Sequence, residues 1–226
     1  MEEDLIRVVA IKGRLLEHIQ NQTERMCIAA VKNDSSALGY VKDQTEEMCV
    51  IAVRGNGLTL RYVQNQTDEM CIEAVKQNPS AIEYVKNQTE ELCVIAVKND
   101  VDALRYVRNQ TEEMCLVALM KKASTLSHVH DQTEAICLKA IEKCPHSLKY
   151  IRYQTEELCL IAVRKVWRVL KYVHDQTEKI CFAAFYNFFT CFLPACERSD
   201  DEFNAALTLI RDFEMRKRMR SAYNRH

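Results

Sequence analysis

One dipeptide governs what this chain can become. Gln-Thr occurs at Gln22-Thr23, Gln44-Thr45, Gln66-Thr67, Gln88-Thr89, Gln110-Thr111, Gln132-Thr133, Gln154-Thr155 and Gln176-Thr177, at 22-residue intervals without insertion. Four residues after each Thr stands a cysteine, Cys27 through Cys181, and three further on an alanine, Ala30 through Ala184. So short and fixed a period marks a stacked array of supersecondary units. A 22-residue hairpin buries too little apolar surface to stand alone, and it gains a core only from its neighbours.

Within one unit, Asn87 to Arg108 reads NQTEELCVIAVKNDVDALRYVR. Leu92, Cys93, Ala96 and Val97 fall at helical spacing, and after Asn99-Asp100 a shorter stripe follows with Ala103, Leu104, Tyr106 and Val107. Each unit therefore reads as a longer helix, a tight turn and a helix of about two turns. Pro79 and Pro145 share one phase, where proline suits the first turn of the second helix.

Asn or Asp precedes Gln-Thr at Asn21, Asp43, Asn65, Asn87, Asn109, Asp131 and Asp175, with an acid three residues later in each case. That spacing predicts a capping box, with the Asn or Asp as N-cap of the longer helix. Tyr153 breaks the pattern, so Thr155 is expected to cap that helix and start it later.

The expected fold is all-α: a right-stacked α-solenoid of eight 22-residue helical hairpins with terminal capping helices. Residues 1–20 read as a degenerate N-terminal capping unit, 21–192 as the solenoid, and 193–226 as a C-terminal capping helix with a basic tail. Helices packing about 8–10 Å apart would give a body on the order of 70–80 Å. Five phenylalanines crowd into Phe182, Phe185, Phe188, Phe189 and Phe192. Asp200, Asp201 and Glu202 then open a final helix with Phe203, Ala206, Leu207, Ile210 and Phe213, expected to form a lid over the last unit.

Thirty-one Lys and Arg stand against 32 Asp and Glu, so no global field draws the chain to nucleic acid or an anionic membrane. The chain opens Met1-Glu2-Glu3-Asp4, acidic where a secretory signal is basic, and the uncharged run Cys181 to Cys196 is short for a bilayer. A soluble, cytoplasmic protein in a reducing compartment is the expectation, with eleven cysteines that form no disulfide framework. The row cysteines lie one helix-packing distance apart and include no Cys-x-x-Cys, so they read as small buried hydrophobes, with no metal and no cofactor expected. Cys144, Cys191 and Cys196 lie off the row and are expected to be the more reactive thiols. The Asn-Gln-Thr sequons at Asn21, Asn65, Asn87 and Asn109 read as helix starts, since Asp fills the same place elsewhere.

The unit YVKNQTEELCVIAVKN, Tyr84 to Asn99, resembles an uncharacterised helical-repeat family abundant in giant DNA viruses of amoebae, over about residues 14–192. The motif is aromatic-Val-Lys-Asn-Gln-Thr-Glu-Glu-x-Cys. The resemblance implies an intracellular setting, the host cytoplasm if viral, and macromolecular interaction, but carries no defined activity. The segment Thr125 to His130 departs from it, with His128 where Tyr stands elsewhere.

The recurrent Gln is expected to tie successive turns together by hydrogen bonds rather than to read bases. The row Tyr40, Tyr62, Tyr84, Tyr106, Tyr150 and Tyr172 is expected in the core with hydrogen-bonded hydroxyls. Charged ridges, with Glu46-Glu47 and Glu90-Glu91 on one edge and Lys42, Lys86, Arg108 and Arg152 along the short helix, read as a solvated surface paired between units. No phosphate loop, nucleophile elbow or paired-carboxylate motif is present, so the chain does not read as an enzyme.

The leading functional expectation is a non-enzymatic protein–protein scaffold or adaptor, with Ile51, Ile95, Val117 and Ile161 as an exposed apolar strip facing a protein partner. The alternative is nucleic-acid (RNA) binding through the repeat surface and the basic tail Arg216, Lys217, Arg218 and Arg220.

Overall fold

The computed structural model describes residues 2–192 and 200–223, and among these no strand occurs. The chain is an all-helical α-solenoid of regularly repeating units of about 22 residues. Its α-helices are α1 (Glu2–Ile11), α2 (Glu24–Asn33), α3 (Glu46–Gly55), α4 (Asp68–Gln77), α5 (Glu90–Asn99), α6 (Glu112–Lys121), α7 (Glu134–Lys143), α8 (Glu156–Lys165), α9 (Glu178–Phe192), α10 (Asp200–Thr208) and α11 (Phe213–Tyr223). Between them run 3-10 helices: η1 (Gly13–His18), η2 (Ser35–Tyr40), η3 (Gly57–Tyr62), η4 (Pro79–Tyr84), η5 (Val101–Tyr106), η6 (Ala123–His128), η7 (Pro145–Tyr150) and η8 (Trp167–Tyr172). Two compact units divide the chain, residues 1–118 and 119–226. In the first, α1 and η1 take the same two-part form as the motif-bearing hairpins after them. In the second, the register runs unbroken through η6 despite His128.

The short helix is a 3-10 helix because six residues give an α-helix almost no internal bonds, whereas i to i+3 pairing closes within that length. Its start is fixed by an Asx cap in the first unit: the Asp34, Asn56, Asn78 and Asp100 side chains accept from Ser36, Leu58, Ser80 and Asp102 N–H at 2.9–3.1 Å. Pro79 and Pro145 open η4 and η7, at the phase expected of them.

The longer helix is capped by threonine, which corrects the expectation for Asn21, Asp43, Asn65, Asn87, Asn109, Asp131 and Asp175. Each of these lies two residues upstream of the N-cap, in a bend. Thr45 Oγ1 accepts from Met48 N–H at 3.4 Å, and Thr67, Thr89, Thr111, Thr133 and Thr155 repeat the bond within 0.1 Å of that length. The acid after threonine is then the first helical residue, so it complements the positive end of the helix dipole and cannot reach back as a capping-box partner. The helix after Tyr153 starts at the same phase as the rest, at Glu156.

The core of each unit joins both helices. In the hairpin of α5 and η5, Leu92, Cys93, Ala96, Val97, Ala103, Leu104 and Val107 are all buried. Leu16, Leu38, Leu60, Ile82 and Leu104 form a row of fully buried side chains through the first unit, each stabilising by about 1.5–3 kcal/mol.

Neighbouring hairpins are locked by the glutamine. Gln88 Nε2 donates to Ile82 O in the preceding hairpin at 2.8 Å and to Tyr106 O in its own at 3.0 Å, while its Oε1 accepts from Arg108 N–H at 2.9 Å. Gln22, Gln44 and Gln66 make the same three bonds in the first unit, and Gln132 and Gln154 in the second. The amide ladder expected from the sequence is present in this form.

At the C-terminal end of the second unit, Gln176 donates to Leu209 O and accepts from Arg211 N–H, both at 2.9 Å. Ala206, Leu207, Leu209, Ile210 and Arg211 thus occupy the roles of Ala103, Leu104, Tyr106, Val107 and Arg108, with Ala206, Leu207 and Ile210 buried likewise. The single final helix expected from Asp200 onward is therefore two, α10 and α11. The chain breaks between them to present that carbonyl and that N–H.

Replacing Thr89 by Ala should cost about 1 kcal/mol, and Asn87 by Ala much less, in chemical denaturation. Gln88→Ala removes three hydrogen bonds to backbone at once and should cost about 3 kcal/mol at roughly 1 kcal/mol for each. A Gln88 loss no larger than that of Thr89 would contradict its role as the tie.

Candidate functional site

The face built by the short helices carries the most distinctive chemistry. Tyr40, Tyr62, Tyr84 and Tyr106 of the first unit are half-buried, each ending a 3-10 helix, so the row lies at the surface and not in the core as expected. The reason lies in the repeat: the leucine or isoleucine two residues earlier and the valine one residue later point inward and are fully or nearly fully buried, which turns the intervening tyrosine outward. Cations lie on these rings. The Arg61 guanidinium stands 4.7 Å from the centroid of Tyr62 and 5.9 Å from that of Tyr84, bridging two repeats, and Arg105 lies 5.7 Å from Tyr106. Gly39 leaves room for Tyr62, since a Cβ there would meet that ring at 3.0 Å. The second unit repeats the arrangement with lysine: Lys149 lies 4.6 Å from Tyr150 and 6.0 Å from Tyr172, and Lys171 4.8 Å from Tyr172. Hydrogen bonding to Tyr150 raises the pKa of Lys149, favouring its charged form.

A second row of cations is turned inward on the backbone. Lys42 Nζ donates to Ile19 O and Gln20 O at 3.1 and 3.2 Å, Lys86 Nζ to Gln64 O at 2.6 Å, and Arg108 to Lys86 O and Val85 O at 3.0 and 3.1 Å. In the second unit Arg152 does the same to His130 O and Val129 O. This ridge reads the preceding hairpin's carbonyls instead of forming the carboxylate pairs expected of it.

Ile51, Ile95, Val117 and Ile161 are half-buried, so they do not form an exposed apolar strip. Their repeat position lies on the helix flank that faces the helix before. Val117 shares a groove between α5 and α6 with Val94, Val97 and Met114, about 20 Å³ in volume, room for little more than one water. Glu73, at the same repeat position in α4, lies 4.0 Å from Arg54 of α3 across the corresponding groove.

The basic run is also part of the fold. Arg216, Lys217, Arg218 and Arg220 lie on α11, whose Met219 is buried, rather than on an arm beyond the last packed unit. Arg218 pairs with Glu178 at 3.2 Å, Arg220 donates to Asn204 Oδ1 at 2.7 Å, and Arg216 Nη2 to Arg211 O at 3.3 Å. Arg216, Lys217 and Arg220 line a cleft of about 480 Å³ with Asn204, Leu207 and Thr208, and Arg216 Nε is buried there without a hydrogen-bond partner.

The row cysteines are free and buried. Cys93 Sγ donates to Gln88 Oε1 at 3.9 Å, and Cys27, Cys49, Cys71, Cys115 and Cys159 donate to their own glutamines at 3.6–3.8 Å. The thiol is thus a small side chain that also completes the amide, a role legible only once Gln-to-Cys spacing is placed on a helix start. Burial, then the neighbouring carboxylates, push Cys159 up to about 11, and burial and Asp212 do the same to Cys181. Cys144 is half-buried, while Cys196 and the side chain of Cys191 lie outside the described residues. No group of three His, Cys, Asp or Glu among the described residues is placed to hold a metal ion.

Residues 67–111 match the model of a family described as a domain of unknown function, DUF4116, a span that covers two successive hairpins. No curated protein and no solved structure matches the chain. No helix among the described residues is long and apolar enough to cross a membrane.

The thiols give a pH signature. An unfolded cysteine loses its proton near 9, whereas folded Cys159 and Cys181 hold theirs to about 11. Their contribution is whole below pH 9 and is lost as pH rises from 9 to 11, because there the unfolded state binds fewer protons. Thermal midpoints of the native chain should therefore fall more steeply over that interval than those of Cys159→Ala with Cys181→Ala. Parallel slopes would refute the assignment.

Proposed function

We propose that this protein is a non-enzymatic scaffold or adaptor that binds a protein partner along the short-helix face. The tyrosine row with its overlying cations carries the reading. Tyrosine and arginine are the side chains most enriched at interface hot spots, since each offers large area and directed polar contacts at low ordering cost. Here tyrosine ends six of the short helices, η2 to η5, η7 and η8, and arginine or lysine lies on five of those rings, on a backbone fixed by the glutamine ladder, so the anchors are held before a partner arrives. The buried thiols suit a reducing compartment, and we place the protein in the cytoplasm, of an infected host cell if its resemblance to viral repeat chains reflects its origin.

A second reading, binding of an anionic chain such as RNA, rests on the α10–α11 cleft, where the unpartnered Arg216 Nε lies beside Lys217 and Arg220. It ranks second because the tyrosine faces already carry cations and the net charge is −1.

Affinity capture from the native cell, with and without nuclease, tests both. Tyr62→Ala with Tyr84→Ala should lose a defined set of proteins whose capture nuclease leaves unchanged. Arg216→Gln with Lys217→Gln should spare that set. Nuclease-sensitive capture that disappears only in the second variant would favour the anionic-chain reading instead.

A further inference from the structure

Packing in the first unit places one chemically labile bond under restraint. Asn56-Gly57 is the only Asn-Gly pair in the chain, and Asn56 is exposed at the start of η3. Close approach requires the glycine: a Cβ on Gly57 would collide with the carbonyl oxygen of Ala74 in α4. The same missing Cβ leaves the Gly57 nitrogen unshielded toward the neighbouring side-chain amide. The caps on either side are inert. Asp34 and Asp100 have no amide to lose, and Asn78 precedes Pro79, whose nitrogen carries no hydrogen to give up.

Hydrogen bonds hold the two reacting groups apart. The Gly57 N–H donates to Gln77 Oε1 at 2.8 Å, and Asn56 Oδ1 accepts from Leu58 N–H at 3.1 Å. The Asn56 carbonyl accepts from Thr59 N–H at 2.9 Å and from the Thr59 hydroxyl at 2.7 Å. With ψ of Asn56 at 110°, the Gly57 nitrogen points away from the Asn56 Cβ. Bringing that nitrogen onto Cγ means turning the 56–57 peptide about the Cα–C bond, which breaks its bonds to Gln77 and Thr59. The clasp recurs in the second unit at the same 20-residue separation, where Trp167 N–H donates to Asn187 Oδ1 of α9 at 3.0 Å.

We propose that Asn56 is a site of spontaneous deamidation, held closed by the stack and released to react when η3 lifts from α4. The Gly57 amide gives its proton to solvent base and attacks Asn56 Cγ. An N–Cγ bond forms, the Cγ–Nδ2 bond breaks, and ammonia leaves with a proton returned from solvent. Water then opens the five-membered imide, at Cγ to give aspartate or at the backbone carbonyl carbon to give isoaspartate. One water enters and one ammonia leaves, with no change of oxidation state. The aspartate product restores the cap, because Asp34 and Asp100 accept from the N–H two residues on at the same phase. The isoaspartate product does not, since its main chain gains a carbon where Gly57 must meet Ala74. Conversion therefore marks, with one added negative charge, those chains in which this contact has opened. The site is separate from the tyrosine row and does not depend on the function proposed for it.

Peptide mass spectrometry of the full chain during incubation in mildly alkaline buffer tests this. The chain unfolded in guanidinium chloride should gain the mass of NH2 exchanged for OH at Asn56, while the folded chain reacts far more slowly and Asn78 stays intact in both. Gln77→Ala should raise the folded-state rate about fivefold, the worth of one hydrogen bond in the opening equilibrium. Thr59→Val removes one bond to the Asn56 carbonyl at a position where η8 carries Val169. It should raise the rate too, and it decides the matter if Gln77→Ala fails to fold. Asn56→Asp should keep the native helical circular dichroism and denaturation midpoint. An unreactive Asn56 in the unfolded chain, equal rates in folded and unfolded chains, or folded variants that both match the native rate would overturn the proposal.

Discussion

A primary amide has two N–H donors and a carbonyl oxygen, and here all of them are used on backbone. One donor goes to the preceding hairpin, the other to the carbonyl of the tyrosine 18 residues on in the glutamine's own hairpin, and the oxygen to the N–H two residues beyond that. Between those two backbone groups lies a single residue, Val107 for Gln88, which is forced inward and buried. The amide therefore fixes register and orientation together, without consulting the side chains of the neighbouring hairpin. That independence explains why other positions can vary: Ile51, Glu73, Ile95 and Val117 share one repeat position and accept quite different chemistry. It also explains the thiol, which is small enough to pack and polar enough to donate to the remaining lone pair.

The same backbone logic divides the cations into two classes. Those after the buried valine or isoleucine, such as Arg108 and Arg152, reach back to the previous hairpin's carbonyls and reinforce the glutamine tie. Those before the tyrosine, such as Arg61 and Lys149, lie on aromatic rings at the surface, and Arg105 among them also donates to Asp102 O of its own short helix. The surface available for recognition is thus the part of the repeat that the stacking chemistry leaves over.

Much of this was legible in the residues. Period, hairpin form, the amide ties and the buried cysteines follow from a strict repeat read with helical spacing. The errors arose where two local signals compete. Asn87 and Thr89 are both good N-caps, and spacing to an acid favoured the asparagine, while in three dimensions the asparagine lies in the bend that delivers the glutamine. Tyr106 lies within an apolar stripe, yet Leu104 before it and Val107 after it are the side chains that are fully buried, and the ring between them is left half-buried at the surface. Ile95 looked exposed because its position is variable, whereas variability there reflects a flank shared with the preceding helix. The basic run on α11 resembled a free arm because nothing in its own composition announces Glu178 or Asn204, which lie far away in sequence.

The closing turn at Ala206 to Arg211 completes the last glutamine although it arrives out of the 22-residue phase, by a different chain path and with leucine in place of tyrosine. What the end of the stack requires is therefore very little: a carbonyl, an apolar residue and an N–H in succession. A terminus with such modest demands fits after any hairpin that carries the amide. Duplication or loss of whole hairpins upstream would leave the closure intact, so the length of such a protein can change in steps of one hairpin without the closing turn being reinvented.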